Sequence, residues 1–448
     1  MFAELKALMT SAGWSGITET EKFWNEEFKN RKIITEFIKD DMIGKKRLVS
    51  MPDRLTNTIA TEHGDAMRPT VINCYSEKID TMEKWWAHWK DFMFNHKLVL
   101  KKGETGTSVC AMLQPIKKSK YPSITEEEAA VSIPLQTMSL AIFDAILVHM
   151  LNSINPGWVN IRETICTKLN RQKNARSIEI LTRTYKDYDI HFLQEVGSSF
   201  MSAAQKDKAL PNLFDIHIPT QLDSKRDQNS IILTAKGKYV DIKDITSDVV
   251  SFYNSKHSDS SLPVAEGDLY VIEARQKSDN TMYLFASFHG DTNGLATKAV
   301  VTSVHDFATF MRPHHKILFG MDANTYASPL SDQQGVEDFA VFYTGLNMNT
   351  CYGPKPNPRN FTTFHARTYL QPQLNKAITF EEKDIKGDKN PKDFIMFFAA
   401  DFRVLETAKD NTGERRYVDN MVFPTLKFPS DHGVTSTILE ENEHNLRK

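Results

Sequence analysis

From about Pro134 to its end, this chain alternates short apolar runs rich in β-formers with polar turns, and several of those runs end directly in an acid-bearing motif. The runs are Ile190–Leu193, Ser230–Leu233, Leu269–Glu273, Tyr283–Phe288, Lys316–Gly320, Phe394–Phe398 and Val434–Leu439. Strand-length apolar pieces mixed with a few helical stretches predict a layered α/β or α+β domain. Such a domain gathers polar groups at its strand ends, where ligands bind.

Residues 1–130 have a different texture and read as mainly helical. Thr18 and Glu21 fit a capping box, Gly44 fits a stop, and Trp24, Phe28, Phe37 and Ile38 form an apolar stripe between them. A second helix is predicted from about Ser76 to His96, with Ile79, Met82, Trp86, Trp89 and Met93 on one face. Trp85, Trp86 and Trp89 are read as the aromatic core of this helix rather than as a base-stacking platform. The segment Lys101–Lys120 reads as loop and exposed strand, and its Gly103–Gly106 run lacks the GK[ST] of a phosphate-binding loop. The expected division is therefore a helical region of unknown role over 1–130 and a catalytic domain over 131–448.

A net charge of −2 and a pI near 6.7 exclude a chain-wide basic footprint for nucleic acid, though not a local basic groove. Cys74, Cys110, Cys166 and Cys351 are dispersed, which excludes a zinc knuckle or disulfide framework and favours a reducing compartment. Met1–Gly16 is too short and polar for a signal peptide. The longest apolar stretch, Leu140–Leu151, is interrupted by Asp144 and His149, so no membrane span is expected. The chain reads as a soluble intracellular protein.

Five motifs carry chemistry. Phe192-Leu193-Gln194-Glu195-Val196 ends an apolar strand in Gln-Glu, and the Glu195 carboxylate suits a hard cation. Next, Phe285–Phe288 leads to His289 and a Gly-rich loop able to contact a phosphoryl group. In Gly320-Met321-Asp322-Ala323-Asn324, the acid and the amide two residues apart face the same way on an extended backbone. Asp393 opens the apolar run Phe394–Phe398, and a carboxylate so placed needs a partner, for which a histidine is natural. Pro429-Ser430-Asp431-His432-Gly433 places an acid beside a general base or phosphate donor. Each motif alone reads equally well as a polar strand end or surface loop. Their order is the informative feature.

In that order the motifs resemble the LQE, strand-His, GD-x-N, DY/F-I and SDH signatures of the endonuclease/exonuclease/phosphatase superfamily, with MD at Met321-Asp322 where GD is usual. The resemblance covers roughly 134–440. The spacing from Asn155-Pro156-Gly157-Trp158 through Arg176 to Glu195 looks like the deadenylase and nocturnin-like branch. The resemblance implies a four-layer α/β sandwich of two packed β-sheets flanked by helices, preceded in this chain by the helical addition.

It also implies roles. Glu195 would bind Mg²⁺ or Mn²⁺ and Asp431 would assist. His289 would contact phosphoryl oxygens, Asp322 would orient or deprotonate the attacking water, and Asn324 would stabilise the transition state. His432 would act on the phosphoryl group, with Asp393 fixing its tautomer. An asparagine ending a first strand should complete the metal site. Asn152 is preferred for it, with His149 taking the place if the register shifts by three and Asn73 as a rival.

Two polar clusters are candidates for substrate binding: Arg367, Gln371 and Lys376 in the segment before the Asp393 run, and Asn229 in Arg226–Asn229. The alternative for both is ordinary loop polarity. The expected reaction is phosphoester hydrolysis by in-line attack of water, with a nucleic-acid or nucleotide phosphodiester as first substrate class. The runner-up is a small phosphomonoester such as a sugar, nucleotide or lipid head group, and a catalytically degenerate binding scaffold is the third reading.

Overall fold

A computed structural model describes residues 1–26, 28–30, 55–115, 119, 126–223, 226–257, 260–365 and 388–442. The described residues form two compact units, one over Met1–Thr167 and one from Lys168 onward. The division falls after Thr167, and helices Glu126–Ile154 and Trp158–Cys166 both contribute to the core of the first unit.

The first unit contains the helices Phe2–Ser11, Ile17–Glu26, Met82–Lys90, Val109–Met112, Glu126–Ile154 and Trp158–Cys166. Two small antiparallel pairs accompany them: β1 (Thr58–Thr61) with β2 (Gly64–Met67), and β3 (Lys97–Leu98) with β4 (Thr107–Ser108). The proposed stop at Gly44 and the stripe residues Phe37 and Ile38 lie outside the described residues. Met82–Lys90 begins where the Thr81 side chain accepts from the Lys84 amide, an N-cap that fixes its first turn. Trp85 and Trp89 on this helix are fully buried in the core, as the sequence predicts.

Helix Glu126–Ile154 overturns the reading of a strand ending at Asn152. Apolar or small residues occupy nearly every position from Val131 to Val148, and burial extends around the helix. A run that is apolar on all sides cannot be assigned to strand or helix by periodicity. Ala129–Ile154 is long and apolar enough to cross a membrane, but 83% of its apolar window is buried inside the protein. Asn152 accepts a hydrogen bond from the Trp158 indole at 2.7 Å, which ties this helix to the next. His149 is exposed on the same helix. Asn73, the rival, donates to the Asn57 and Arg68 carbonyls at 2.9 Å each.

The second unit has eleven described strands: β5 (Ile190–Val196), β6 (Phe214–His217), β7 (Asn229–Ala235), β8 (Tyr239–Asp244), β9 (Leu269–Gln276), β10 (Met282–His289), β11 (Lys316–Asp322), β12 (Met348–Thr350), β13 (Asp393–Phe398), β14 (Phe402–Asp410) and β15 (Val434–Glu441). Six form one sheet in the order β12-β13-β11-β10-β9-β8, with β10 and β11 parallel and the other pairs antiparallel. Two smaller sheets are β5-β7-β6 and β14-β15.

Alternation along the strands builds the layers. Leu284, Ala286 and Phe288 of β10 face a core shared with helices Thr246–Lys256, Thr297–Met311 and Val336–Gly345. Tyr283 and Phe285 face the opposite way, into a core shared with Ile232 and Phe192 of one small sheet and Phe402 and Leu439 of the other. Ile231 and Leu233 of β7 turn outward against helices Lys173–Arg183 and Ser198–Lys206. The order is helix, sheet, sheet, helix, the four-layer α/β sandwich the sequence implies. Each fully buried phenylalanine in these layers contributes roughly 1.5–3 kcal/mol. The sheets approach closely at Gly320, where an added Cβ would lie 2.3 Å from Phe192, so only glycine fits.

Candidate active site

Sheet register alone brings three of the motif residues together. In the parallel pair β10–β11, His289 stands opposite Asp322, and in the antiparallel pair β11–β13, Asp322 stands opposite Asp393. Three adjacent strands thus end in a row of His, Asp and Asp. The turn before β15 adds His432, whose Nδ1 lies 2.9 Å from Asp393 Oδ2 and 3.2 Å from Oδ1. His432 Nε2 is 3.7 Å from Asp322 Oδ2, and His289 Nε2 reaches the same oxygen at 3.7 Å.

Glu195 arrives from the facing sheet. A register shift in the β5–β7 pairing between Leu193 and Val196 marks a bulge, and Glu195 sits in it with φ of 54°. A left-handed glutamate is an uncommon conformation that concentrates at functional sites. It leaves the carboxylate half-exposed with Oε1 3.3 Å from His289 Nε2. Asn324 is also left-handed, at 48°, and its backbone N–H donates to Asp322 Oδ1 at 2.8 Å. Gly294, with φ of +73°, allows the neighbouring loop to approach the Ala323 and Asn324 carbonyls.

The electrostatics follow from burial and crowding. Burial pushes the Asp322 carboxyl above the ordinary carboxylate range, with the His432 charge opposing this and the Asp393 charge adding to it. Burial disfavours the His432 imidazolium, but Asp393 and Asp322 together outweigh it and hold its pKa well above the usual histidine value. Both neighbouring carboxyl groups thus favour the charged form of the His432 ring. Donor atoms of Asp322, Asp393 and His432 lie within 4.8 Å of one another, close enough to hold an ion. The direct Asp393–His432 bond makes a hydrogen-bonded relay the simpler reading of these three. Glu195 and Asp431 line the same cavity.

One charged neighbour escaped the sequence reading. Lys392 is buried, lies 3.4 Å from Asp388 Oδ2 and 5.6 Å from the centre of the Tyr326 ring. Burial lowers its pKa, but Asp388 and Asp322 outweigh this and keep it raised. Its only sequence signal was its place immediately before Asp393 at the start of an apolar strand.

Two expectations are corrected and one cannot be placed. Asn229 is consumed structurally: its Oδ1 accepts from the Asp223 amide at 2.9 Å and its Nδ2 donates to the Val196 carbonyl at 3.2 Å. Its neighbour Arg226 is likewise bound to Asp223, Asp268 and the Glu266 carbonyl. A buried strand start needs its polar groups satisfied, and this cluster does that. Asn152 belongs to a helix of the first unit and is not among the residues that line this cavity. Arg367, Gln371 and Lys376 lie outside the described residues.

A family model described as a domain of unknown function, DUF8234, matches residues 1–163. No curated protein matches the chain. Many of the solved structures similar to it are endonuclease/exonuclease/phosphatase members. The human nocturnin catalytic domain with bound sulfate is 12% identical, with 61% of this chain and 87% of that chain covered and a TM-score of 0.38. An endonuclease/exonuclease/phosphatase from Bacteroides vulgatus is 14% identical, covering 61% and 91% with a TM-score of 0.40. The D. rerio TDP2 complexed with single-strand DNA product is 12% identical, covering 60% and 94% with a TM-score of 0.37.

Proposed function

We propose that the second unit is a divalent-metal-dependent phosphoesterase acting on a nucleic-acid or nucleotide phosphodiester. The observation that supports this most is the convergence of Glu195, His289, Asp322, Asp393 and His432 on one cavity, from four strand ends and a turn. Asp322 accepts a proton from the attacking water. Its raised pKa makes it a better base than an ordinary carboxylate. Asp393 fixes the His432 ring, so that Nδ1–H points at the carboxylate and Nε2–H is free to donate to a phosphoryl oxygen. His289 offers a second donor beside it, and Lys392 adds positive charge behind Asp322.

Glu195 and Asp431 are the residues that would hold the metal. Glu195 presents a half-exposed carboxylate on a bulge, and oxygen donors of this kind suit Mg²⁺ or Mn²⁺. Held there, such an ion would supply neutralisation of phosphoryl charge and polarisation of the phosphorus centre. Asn324 would contribute through the backbone amide that orients Asp322. The substrate segment Arg367, Gln371 and Lys376 remains part of the proposal on sequence grounds alone.

The test is a hydrolysis panel on the full chain: bis- and mono-p-nitrophenyl phosphate, single-stranded RNA, DNA and phosphosugars, each with EDTA, Mg²⁺ or Mn²⁺. Diester hydrolysis that EDTA abolishes and metal restores supports the reading. Full activity in EDTA removes the metal, and preference for monoesters moves the substrate to the phosphatase class.

A further inference from the structure

Register sets Ser287 opposite Gly320 on the parallel pair β10–β11, two residues before His289 and Asp322 and on the same face of the sheet. These two small residues receive β5. Phe192 lies against Gly320, and Gln194 Nε2 donates to Ser287 Oγ at 3.0 Å. Ser287 is fully buried, and its Oγ donates in turn to the Leu193 carbonyl at 3.3 Å. A hydroxyl has one proton to give, so with that proton on Leu193 it meets Gln194 as an acceptor. The two bonds together hold both residues that precede Glu195.

Alternation along β5 shows what this hold does. Phe192 faces the six-stranded sheet, and Leu193 faces the helices outside. Gln194 faces the sheet again. In a regular strand Glu195 would then point outward with Leu193, away from the cluster. The bulge changes this. Between the pairs Leu193–Ile231 and Val196–Asn229, Gln194 and Glu195 stand against the single residue Ser230. Glu195 takes its φ of 54° there, and its carboxylate turns back toward the sheet, with Oε1 3.3 Å from His289 Nε2. A left-handed glutamate in a broken ladder persists only where its surroundings over-determine it.

We propose that Ser287 and Gln194 are positioning residues, which hold the Glu195 carboxylate on the side of β5 where His289 and Asp322 stand and so make it a metal ligand. The inference rests on the metal reading of Glu195 given above. A small divalent ion such as Mg²⁺ takes its oxygens at about 2.0–2.1 Å in near-octahedral order, so a carboxylate displaced by about 0.5 Å binds it poorly. Groups that orient a metal ligand from behind are typically worth about 10–100-fold in affinity. Downstream of Glu195 the chain has a separate anchor: the Ser198 backbone N–H donates to Asp227 Oδ1 at 2.7 Å and its hydroxyl to Oδ2 at 2.9 Å. The competing account is that this anchor and the pairing with β7 suffice to place Glu195.

The test is Mn²⁺ binding to the full chain, read as free Mn²⁺ by electron paramagnetic resonance, with urea unfolding of every variant. Glu195→Gln locates the ion. Gln194→Met keeps the length of the side chain and removes the donor, and Ser287→Ala removes the hydroxyl. Each of these two should weaken Mn²⁺ binding on the order of tenfold. The double variant should match Ser287→Ala, because the bond between the two residues is already lost there. A role confined to packing would lower the urea midpoint and leave the Mn²⁺ affinity of the folded protein unchanged. Gln194→Met alters the cavity wall and not the buried Ser287, so it carries the test if Ser287→Ala does not fold. Unchanged affinity in both single variants, with binding lost in Glu195→Gln, overturns this inference alone. Losses that multiply in the double variant overturn it too, since the two residues would then act separately. A parent that binds no Mn²⁺, or a Glu195→Gln variant that binds it as tightly as the parent, overturns the metal reading and this inference with it.

Discussion

Each unit buries an aspartate, and the two are satisfied to different degrees. In the first, Asp144 accepts from Arg68 Nε at 2.9 Å, Arg68 Nη2 at 3.4 Å, Thr70 Oγ1 at 2.7 Å and the Trp89 indole at 3.0 Å. Arg68 in turn donates to Thr56 at 2.9 Å. In the second, Asp322 Oδ1 accepts one backbone bond, and Oδ2 faces two imidazoles at 3.7 Å, beyond hydrogen-bond distance. Burial raises the pKa of both. The first network is closed and fixes a core. The second leaves an oxygen open toward a cavity, the arrangement that can take a proton from a bound molecule.

The comparison breaks most directly at Asp322. Asp322→Asn keeps the shape and removes the base, so diester turnover should fall by roughly 10³-fold or more. Stability should change by less than about 1 kcal/mol, since the amide replaces a charge whose burial is itself costly. Steady-state hydrolysis and urea unfolding of the same preparation measure both. Turnover within tenfold of the parent would remove Asp322 from the chemistry.

Asp144→Ala should show the converse. It leaves the Arg68 guanidinium buried without its counter-ion, which costs about 3–5 kcal/mol. Arg68→Met with Asp144→Leu removes both charges and should recover most of that loss. Turnover per folded molecule should not change, because the proposed active site lies in the second unit. Urea unfolding at neutral pH distinguishes the single from the double variant. Equal destabilisation by both would mean that packing, not charge, holds this site.

The same contrast explains what was legible in the sequence. The strands of the second unit could be read because alternation and turn residues agree over short windows, and Glu195, His289, Asp322, Asp393 and His432 stood out as polar groups at strand ends. That Asp322 lies between His289 and Asp393 depends on sheet register, which no local window contains. The Glu126–Ile154 helix was misread because an all-apolar run has no period, and with it went the placement of Asn152. Asn229 was misread because polar residues before a strand look alike whether they face a ligand or satisfy a backbone. Arg68 and Asp144 lie 76 residues apart, and nothing in either neighbourhood announces the other.

The smallest effect separates two histidines of the second unit. His432 is favoured in its charged form by its carboxylates, whereas His191 on β5 is held neutral. Burial pushes the His191 pKa from 6.5 down to about 4, with Asp189 opposing weakly. Among the described residues its buried Nε2 has no hydrogen-bond partner, and its ring packs edge-on against Phe214 with centroids 4.6 Å apart. Between pH 6.5 and 4 the unfolded chain therefore binds a proton at this position that the folded chain does not. The sign follows: stability from this residue is complete above about pH 6.5, falls as the pH drops through that window, and loses nothing further below about 4. The loss is at most about 3.4 kcal/mol. His191→Phe keeps an aromatic ring against Phe214 and has no proton to bind, so its urea midpoint should fall less than the parent's over that range. Other groups titrate there too, but they are common to both proteins and cancel in the difference. Parallel pH profiles for parent and variant would show that His191 gains its proton in the folded state at no cost, and that the neutral half of the pair is wrong.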